Sequence, residues 1–223
     1  VDENRIKAAI LYALKEICFH DGSTYHDYDY IYKNFHRYIP QIGYDTFQDK
    51  LDELIEENKI IQDVDKYYPY DLYESEKMIS RTFKRWLNVP LYVYEEEEIN
   101  ILIQQLEESL SIQYDELQKE AIYLFLQQSA MILTGGPGTG KTTIVKAIIK
   151  LFMQLNPDQS IALVAPTGRA AKRLSEVTGL EACTIHRLLK WDLHTNTFAV
   201  DASHPLNVDL LVIDEFSMVD TLL

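Results

Sequence analysis

Four of the chain's eight glycines fall within six consecutive positions, Gly135-Gly136-Pro137-Gly138-Thr139-Gly140, and the run continues as Lys141-Thr142-Thr143. Glycine loses more conformational freedom on ordering than any other residue, so such a segment has to be held as a turn between two stronger elements. Both are predicted. Ala130-Met131-Ile132-Leu133-Thr134 is an apolar run that reads as a buried strand. After the glycines, 142 to 153 places Ile144, Val145, Ile148, Ile149 and Phe152 at helical spacing, and Asn156-Pro157 stops that helix. A strand, a glycine turn and a helix in that order belong in a parallel sheet with helical connections.

The same residues predict a ligand. The run fills the pattern G-x-x-x-x-G-K-[ST] at Gly135, Gly140, Lys141 and Thr142. Backbone amides left bare at Gly136, Gly138, Thr139 and Gly140 can curl around phosphate oxygens. Lys141 adds a point charge for the β and γ phosphates, and Thr142 offers its hydroxyl to Mg2+. The expected cofactors are therefore ATP and Mg2+.

The rest of the second half continues the alternation. Strands are expected over 161 to 165 and 210 to 213, and a helix over 168 to 177. Ligands collect at the carboxyl ends of such strands, where Pro166-Thr167-Gly168-Arg169 and Asp214-Glu215 stand. Mg2+ takes few protein ligands, so Asp214 with Thr142 suffices, and Glu215 is placed to orient and deprotonate an attacking water. Thr184 is a candidate helix cap ahead of His186 and Arg187.

Charge narrows the partners. The net charge of −14 argues against general affinity for nucleic acid, and neither half is basic: 12 Lys/Arg oppose 18 Asp/Glu over 1 to 95, and 9 oppose 17 over 96 to 223. Five of those nine, Arg169, Lys172, Arg173, Arg187 and Lys190, cluster in 169 to 190, where they could grip the phosphates of a strand. No apolar stretch reaches the ~18 residues of a membrane span, and the first residues show no secretory pattern, so a cytoplasmic protein with no membrane partner is expected. Cys18 and Cys183 read as small apolar groups rather than a metal site or a disulfide. The start at Val1 and the end at Leu223 read as a piece of a longer protein.

The first half predicts helices over 4 to 19, 27 to 35 and 44 to 57, a hairpin over 60 to 70 turning at Asp65-Lys66, and a helix over 72 to 87 broken at Asn88-Val89-Pro90. A linking helix follows over 95 to 110. Three helices and a hairpin resemble a winged-helix module. Its third helix carries Asp45, Asp49, Asp52, Glu53, Glu56 and Glu57 against Lys50 alone, which repels a duplex and favours a scaffold or a protein-docking role. Ten of fifteen tyrosines lie between Tyr25 and Tyr73, interleaved with acids, and are expected to pack rather than stack on bases.

Together the loop, Ala165-Pro166-Thr167-Gly168-Arg169-Ala170-Ala171, Thr184-Ile185-His186-Arg187-Leu188-Leu189 and Asp214-Glu215-Phe216-Ser217-Met218-Val219-Asp220 resemble, in order and spacing, RecD-type superfamily 1 DNA helicases of the longer stand-alone form. Upstream, Leu117-Gln118-Lys119-Glu120-Ala121 is similar to their Gln motif. The resemblance implies a winged-helix-like module over 1 to 95 and part of a first RecA-like domain over 96 to 223: an incomplete P-loop parallel sheet with helices on both faces. It implies ATP-driven 5′→3′ movement on single-stranded DNA, in DNA repair or recombination. Lys141, Asp214 and Glu215 would carry hydrolysis, Gln118 would contact adenine and Thr143 would add a phosphate contact. Pro166, Thr167, Gly168, Arg169, Thr184, His186 and Arg187 would hold the DNA. Phe216 replaces the small residue that many members carry. A second RecA-like domain would supply arginines to the γ phosphate, so these 223 residues alone are expected to hydrolyse little ATP. Two alternatives remain: an ATP-gated interaction protein, and a motor subunit of a multi-subunit nuclease.

Overall fold

The computed structural model describes residues 2–89 and 94–223, which divide into two compact units, Val1–Lys84 with Asp220–Leu223, and Arg85–Val219. The first unit opens with α1 (Glu3–Asp21), whose Asp2 cap accepts a hydrogen bond from the Asn4 amide at 2.7 Å. Then come α2 (Tyr28–Phe35), α3 (Tyr44–Glu56), β1 (Ile60–Asp63), β2 (Lys66–Pro69) and α4 (Tyr70–Leu87). The stripe of α1 buries Ile6, Ile10, Leu14 and Ile17 against Ile31 and Phe35 of α2 and Phe47, Leu51 and Leu54 of α3. This is the winged-helix-like order of three helices and a hairpin.

The hairpin turns one residue earlier than expected. Asp63 pairs with Lys66, which leaves Val64 and Asp65 as the turn and puts Val64 at φ 58, a conformation that β-branched residues disfavour. His26 adds a rung on β2, exchanging both backbone hydrogen bonds with Tyr67 at 2.9 and 3.1 Å. The tyrosines pack as expected: Tyr28 and Tyr32 meet Phe47 edge-on with centroids 5.3 and 5.1 Å apart. Cys18 is buried, which with the nearby Asp21 and Asp71 charges pushes its thiol up to about 12, while Cys183 is half-buried; both are free. The expected break at Asn88-Val89-Pro90 falls partly outside the described residues, because Pro90 is not among them.

The second unit contains α5 (Glu96–Leu110), α6 (Glu116–Gln127), α7 (Lys141–Leu155), β3 (Ile161–Ala165), α8 (Gly168–Thr178), β4 (Ala182–Thr184), α9 (Ile185–Leu188), β5 (Trp191–Asp192), β6 (Thr197–Phe198), β7 (Leu210–Ile213) and a 3-10 turn, Phe216–Met218. Parallel β4, β3 and β7 form one sheet in that order, an incomplete RecA-like core. Ile149 of α7 and Leu174 of α8 pack on the face carrying Leu163, with Ile161, Ala182 and Val212 beside it. At the amino ends of β3 and β7, the Asp209 carboxylate accepts from both the amide and the hydroxyl of Ser160 at 2.8 Å.

One expected strand does not form. Over 130 to 134 the burial alternates, with Met131 and Leu133 packed beside Ile144 and Ile148 of α7 and Ile132 77% exposed, yet the segment joins no ladder. A strand needs a neighbour for its amides and carbonyls. Among the described residues β7 is paired only with β3, and no strand bridges β7 to 130–134. The apolar pattern sets which side chains turn inward, while the backbone of 130–134 stays outside the sheet.

Candidate nucleotide-binding site

The glycine run folds into a loop whose last residue, Gly140, caps α7 at φ 81 and ψ 15, and Gly138 has φ 79. Both lie in the left-handed region that side chains disfavour. Gly140 faces a second constraint, because a Cβ there would come within 2.4 Å of Gln118 Nε2. At Gly135 a Cβ would meet Thr139 Oγ1 at 2.7 Å. The loop therefore needs glycine for closeness as well as for twist.

Side chains close the loop on itself. The Lys141 ammonium donates to the carbonyls of Gly135 at 2.6 Å and Gly136 at 2.8 Å, and the Thr139 hydroxyl donates to Gly136 O at 2.9 Å. Anionic phosphate oxygens are stronger partners for an ammonium than neutral carbonyls. Lys141, Thr142 and Thr143 form the first turn of a 15-residue helix, where backbone amides are unpaired and the helix dipole favours an anion. This set of donors fits a triphosphate.

Gln118 sits where α6 meets the loop. Its side-chain oxygen accepts from the Asp115 amide at 3.2 Å and Asp115 caps the Gln118 amide at 2.8 Å, while its Nε2 lies against Gly140. That places an adenine-contact candidate against the phosphate loop and gives it a capping duty as well. The tertiary part of this was invisible in the sequence.

At the opposite end of the sheet from Asp209, register brings three segments together. Ala165 pairs with Thr184, and the Asp214 amide continues the β3–β7 ladder by donating to Val164 O at 2.9 Å, so β3, β4 and β7 deliver Pro166-Thr167, Thr184 and Asp214 to one edge. Asp214 Oδ1 accepts from the Glu215 amide at 3.0 Å. Glu215 is exposed at φ 54, a strained conformation of the kind that gathers at functional sites. Phe216, the departure from the family pattern, is 56% exposed and fills no core position.

The expected metal ligands suit Mg2+ by chemistry, since Thr142 and Asp214 are hard oxygen donors and the ion retains waters and takes phosphate oxygens. Among the described residues no three His, Cys, Asp or Glu groups gather as a metal site.

The polynucleotide candidates divide. Thr167 caps α8, accepting from the Ala170 amide at 3.2 Å, and Arg169 is exposed in the first turn after Gly168. Thr184 caps α9, accepting from the Arg187 amide at 3.2 Å, and the Arg187 guanidinium lies 3.6 Å from Glu181. His186 is exposed but leans on a hairpin that the sequence reading missed, with ring centroids 6.0 Å from Trp191 and 5.8 Å from Phe198. Two-residue strands such as β5 and β6 carry no readable periodicity. Also missed was a basic stretch in the first half, Lys77, Arg81, Lys84 and Arg85, which disappears when charge is totalled over 1 to 95.

Residues 118–223 match the family model of an AAA domain. Over 88 residues the chain is 48% identical to the ATP-dependent RecD2 DNA helicase of Deinococcus radiodurans, a match covering 40% of this chain and 12% of that protein. It is 40% identical over 126 residues to the RecBCD enzyme subunit RecD of Mycolicibacterium smegmatis, covering 47% and 23%. With the RecBCD enzyme subunit RecD of Buchnera aphidicola subsp. Schizaphis graminum it shares 31% identity over 183 residues, covering 71% and 29%. The chain thus spans less than a third of the length of each of these relatives.

Proposed function

We propose that the chain, which matches an AAA domain over 118–223 and is similar to RecD2 and RecD proteins, supplies the ATP-binding part of a motor that moves 5′→3′ along single-stranded DNA in repair or recombination. The division that goes with it is a winged-helix-like module over 1–95 and a first RecA-like domain over 96–223. The protein is taken to work in the cytoplasm, and no helix among the described residues is long and apolar enough to cross a membrane. The observation that carries the reading is the loop itself, with Gly138 and Gly140 at positive φ and the Lys141 ammonium held over its carbonyls at the start of α7.

In this reading Lys141 exchanges its carbonyl partners for β and γ phosphate oxygens, and the Gly136, Gly138, Thr139, Gly140 and Thr143 amides surround the chain of phosphates. Gln118 holds the adenine. Thr142 and Asp214 would hold Mg2+, which when bound neutralises charge developing on the phosphates. Glu215 orients the attacking water and accepts its proton. Pro166, Thr167, Gly168, Arg169, Thr184, His186 and Arg187 line the path of the DNA strand, reached through helix-terminal amides and exposed bases. The test is ATP hydrolysis by a longer form that includes a second motor domain: single-stranded DNA is expected to accelerate it, and a rate indifferent to DNA would sink the motor reading.

A second reading has support of its own. The exposed face of α3 presents Asp45, Asp49, Asp52 and Glu56, while Lys50 is tied to Glu3 and Glu53 at 3.1 and 2.5 Å. That face repels DNA and suits a protein partner, as expected for a subunit of an assembly or for an ATP-gated interaction protein. Nucleotide-dependent capture of a protein without any response to DNA would favour it.

A further inference from the structure

Gln118 belongs to a capping box that leaves its side-chain amide one defined orientation. The Asp115 amide donates to Gln118 Oε1 at 3.2 Å, and the Asp115 carboxylate accepts from the Gln118 amide at 2.8 Å. An N–H group needs an acceptor, so the side-chain oxygen is turned toward Asp115 and the NH2 group away from it. On that far side stands the phosphate loop, where a Cβ at Gly140 would come within 2.4 Å of Nε2. Among the described residues Nε2 donates no hydrogen bond, and Oε1 keeps a second lone pair.

The Asp115 amide is itself firmly held. It follows Tyr114, which is 4% exposed in a core with Ile99, Ile103, Leu106 and Ile122, and whose own amide donates to Glu107 Oε1 of α5 at 2.8 Å. Asp115 has the extended backbone of a helix cap, φ −73 and ψ 169. A capping box alone is a device for starting a helix. This one also sets an acceptor and two donors in a fixed order beside the loop.

That order matters to a purine. Adenine presents a donor, N6–H2, beside an acceptor, N7, whereas guanine presents two acceptors, O6 and N7. A side-chain amide satisfies both groups of adenine in one orientation and both groups of guanine in neither. Turning over would also set its NH2 group against the Asp115 N–H, two donors with no acceptor between them.

We propose that the backbone amide of Asp115 is a positioning group for base selection: by holding Gln118 Oε1 it keeps the side-chain amide in the order that accepts adenine and disfavours guanine. The inference rests on the reading of Gln118 as the adenine contact and adds what makes that contact selective. Asp115 acts through Gln118 and touches no nucleotide.

The test is equilibrium titration of the 223-residue chain with ATP, GTP and inorganic tripolyphosphate. Wild type is expected to prefer ATP, and binding without that preference overturns the inference. Asp115→Pro is compatible with φ −73 and removes the N–H. Its ATP-to-GTP affinity ratio is expected to fall roughly 3- to 10-fold, the range of one net hydrogen bond, with tripolyphosphate affinity unchanged. Asp115→Ala keeps the N–H and loses only the carboxylate, so its ratio is expected to fall less. Equal falls in the two variants, or a ratio that Asp115→Pro leaves as in wild type, contradict the positioning role. So does a loss of tripolyphosphate affinity as large as that of ATP. If Asp115→Pro does not fold by circular dichroism, hydrogen exchange in wild type decides: the Asp115 amide should be better protected with ATP than with GTP, and equal protection ends the proposal. Gln118→Ala separates the two levels. An unchanged ratio in that variant sinks the adenine reading itself, whereas a lowered ratio there with Asp115→Pro unaffected sinks only the positioning role.

Discussion

In the first unit Lys7 of α1 and Lys50 of α3 are closed off by neighbouring acids: Lys7 lies 2.6 Å from Glu57 and 3.3 Å from Glu53, and Lys50 is held by Glu3 and Glu53. In the second unit Arg169 and Arg173 reach solvent with no ion pair among the described residues, Glu215 keeps a strained backbone, and the Lys141 ammonium is held only by neutral carbonyls. The first pattern is that of charges satisfied by their own neighbours. The second is that of groups kept available for a ligand, at a cost in local stability.

If that contrast is right, substitutions should separate into those that remove chemistry and those that remove folding. The largest effect is expected from Glu215→Gln in a longer form carrying a second motor domain. ATP turnover should fall about 10²- to 10⁴-fold while nucleotide affinity is kept, as steady-state rates and equilibrium titration would show. A fall in affinity equal to the fall in rate would remove Glu215 from the role of base.

Phe47→Ala tests the other side. Phe47 is fully buried, with Tyr28, Tyr32 and Phe35 around it, and its truncation should cost the first unit about 3 to 5 kcal/mol in denaturant unfolding. A loss well below 1 kcal/mol would mean that the aromatic cluster is not what holds the module together.

The smallest expected effect is a pH dependence at the sheet's amino edge. Hydrogen bonds from the Ser160 amide and then its hydroxyl hold the Asp209 carboxyl below the usual carboxylate range. A depressed folded value contributes stability that is fully present above the unfolded value near 4 and is lost as pH falls through the folded one. Asp209→Asn should therefore flatten the acid limb of the second unit's unfolding midpoint between about pH 5 and 2, and an unaltered limb would show that this clamp does not couple to folding.

Much of this architecture could be read before any coordinates. Strands β3 and β7 lie at the residues their apolar runs marked, and helices α1 to α4 follow their stripes to within two residues at each end. The losses have separate causes. The 130–134 strand was read from burial, which its side chains obey, but pairing is a property of the neighbouring strand. Ala182–Thr184 and the Trp191–Phe198 hairpin are too short to show a period. The hairpin turn shifted because a two-residue loop at Val64-Asp65 fits the register of the flanking strands better than the polar pair did. In the site, the loop was legible because its conditions are local to nine consecutive residues. The approach of Gln118 to Gly140 was not, because it depends on how α6 packs along α7.

The central claim is that the glycine loop and the acid after β7 act on one magnesium triphosphate. Calorimetric titration of ATP into the chain, with and without Mg2+, addresses it directly. Lys141→Ala should weaken ATP with or without the ion, and Asp214→Asn should leave metal-free affinity near wild type while removing most of the gain that Mg2+ brings. An Asp214→Asn variant whose affinity still rises with Mg2+ as in wild type would show that the two elements serve different ends.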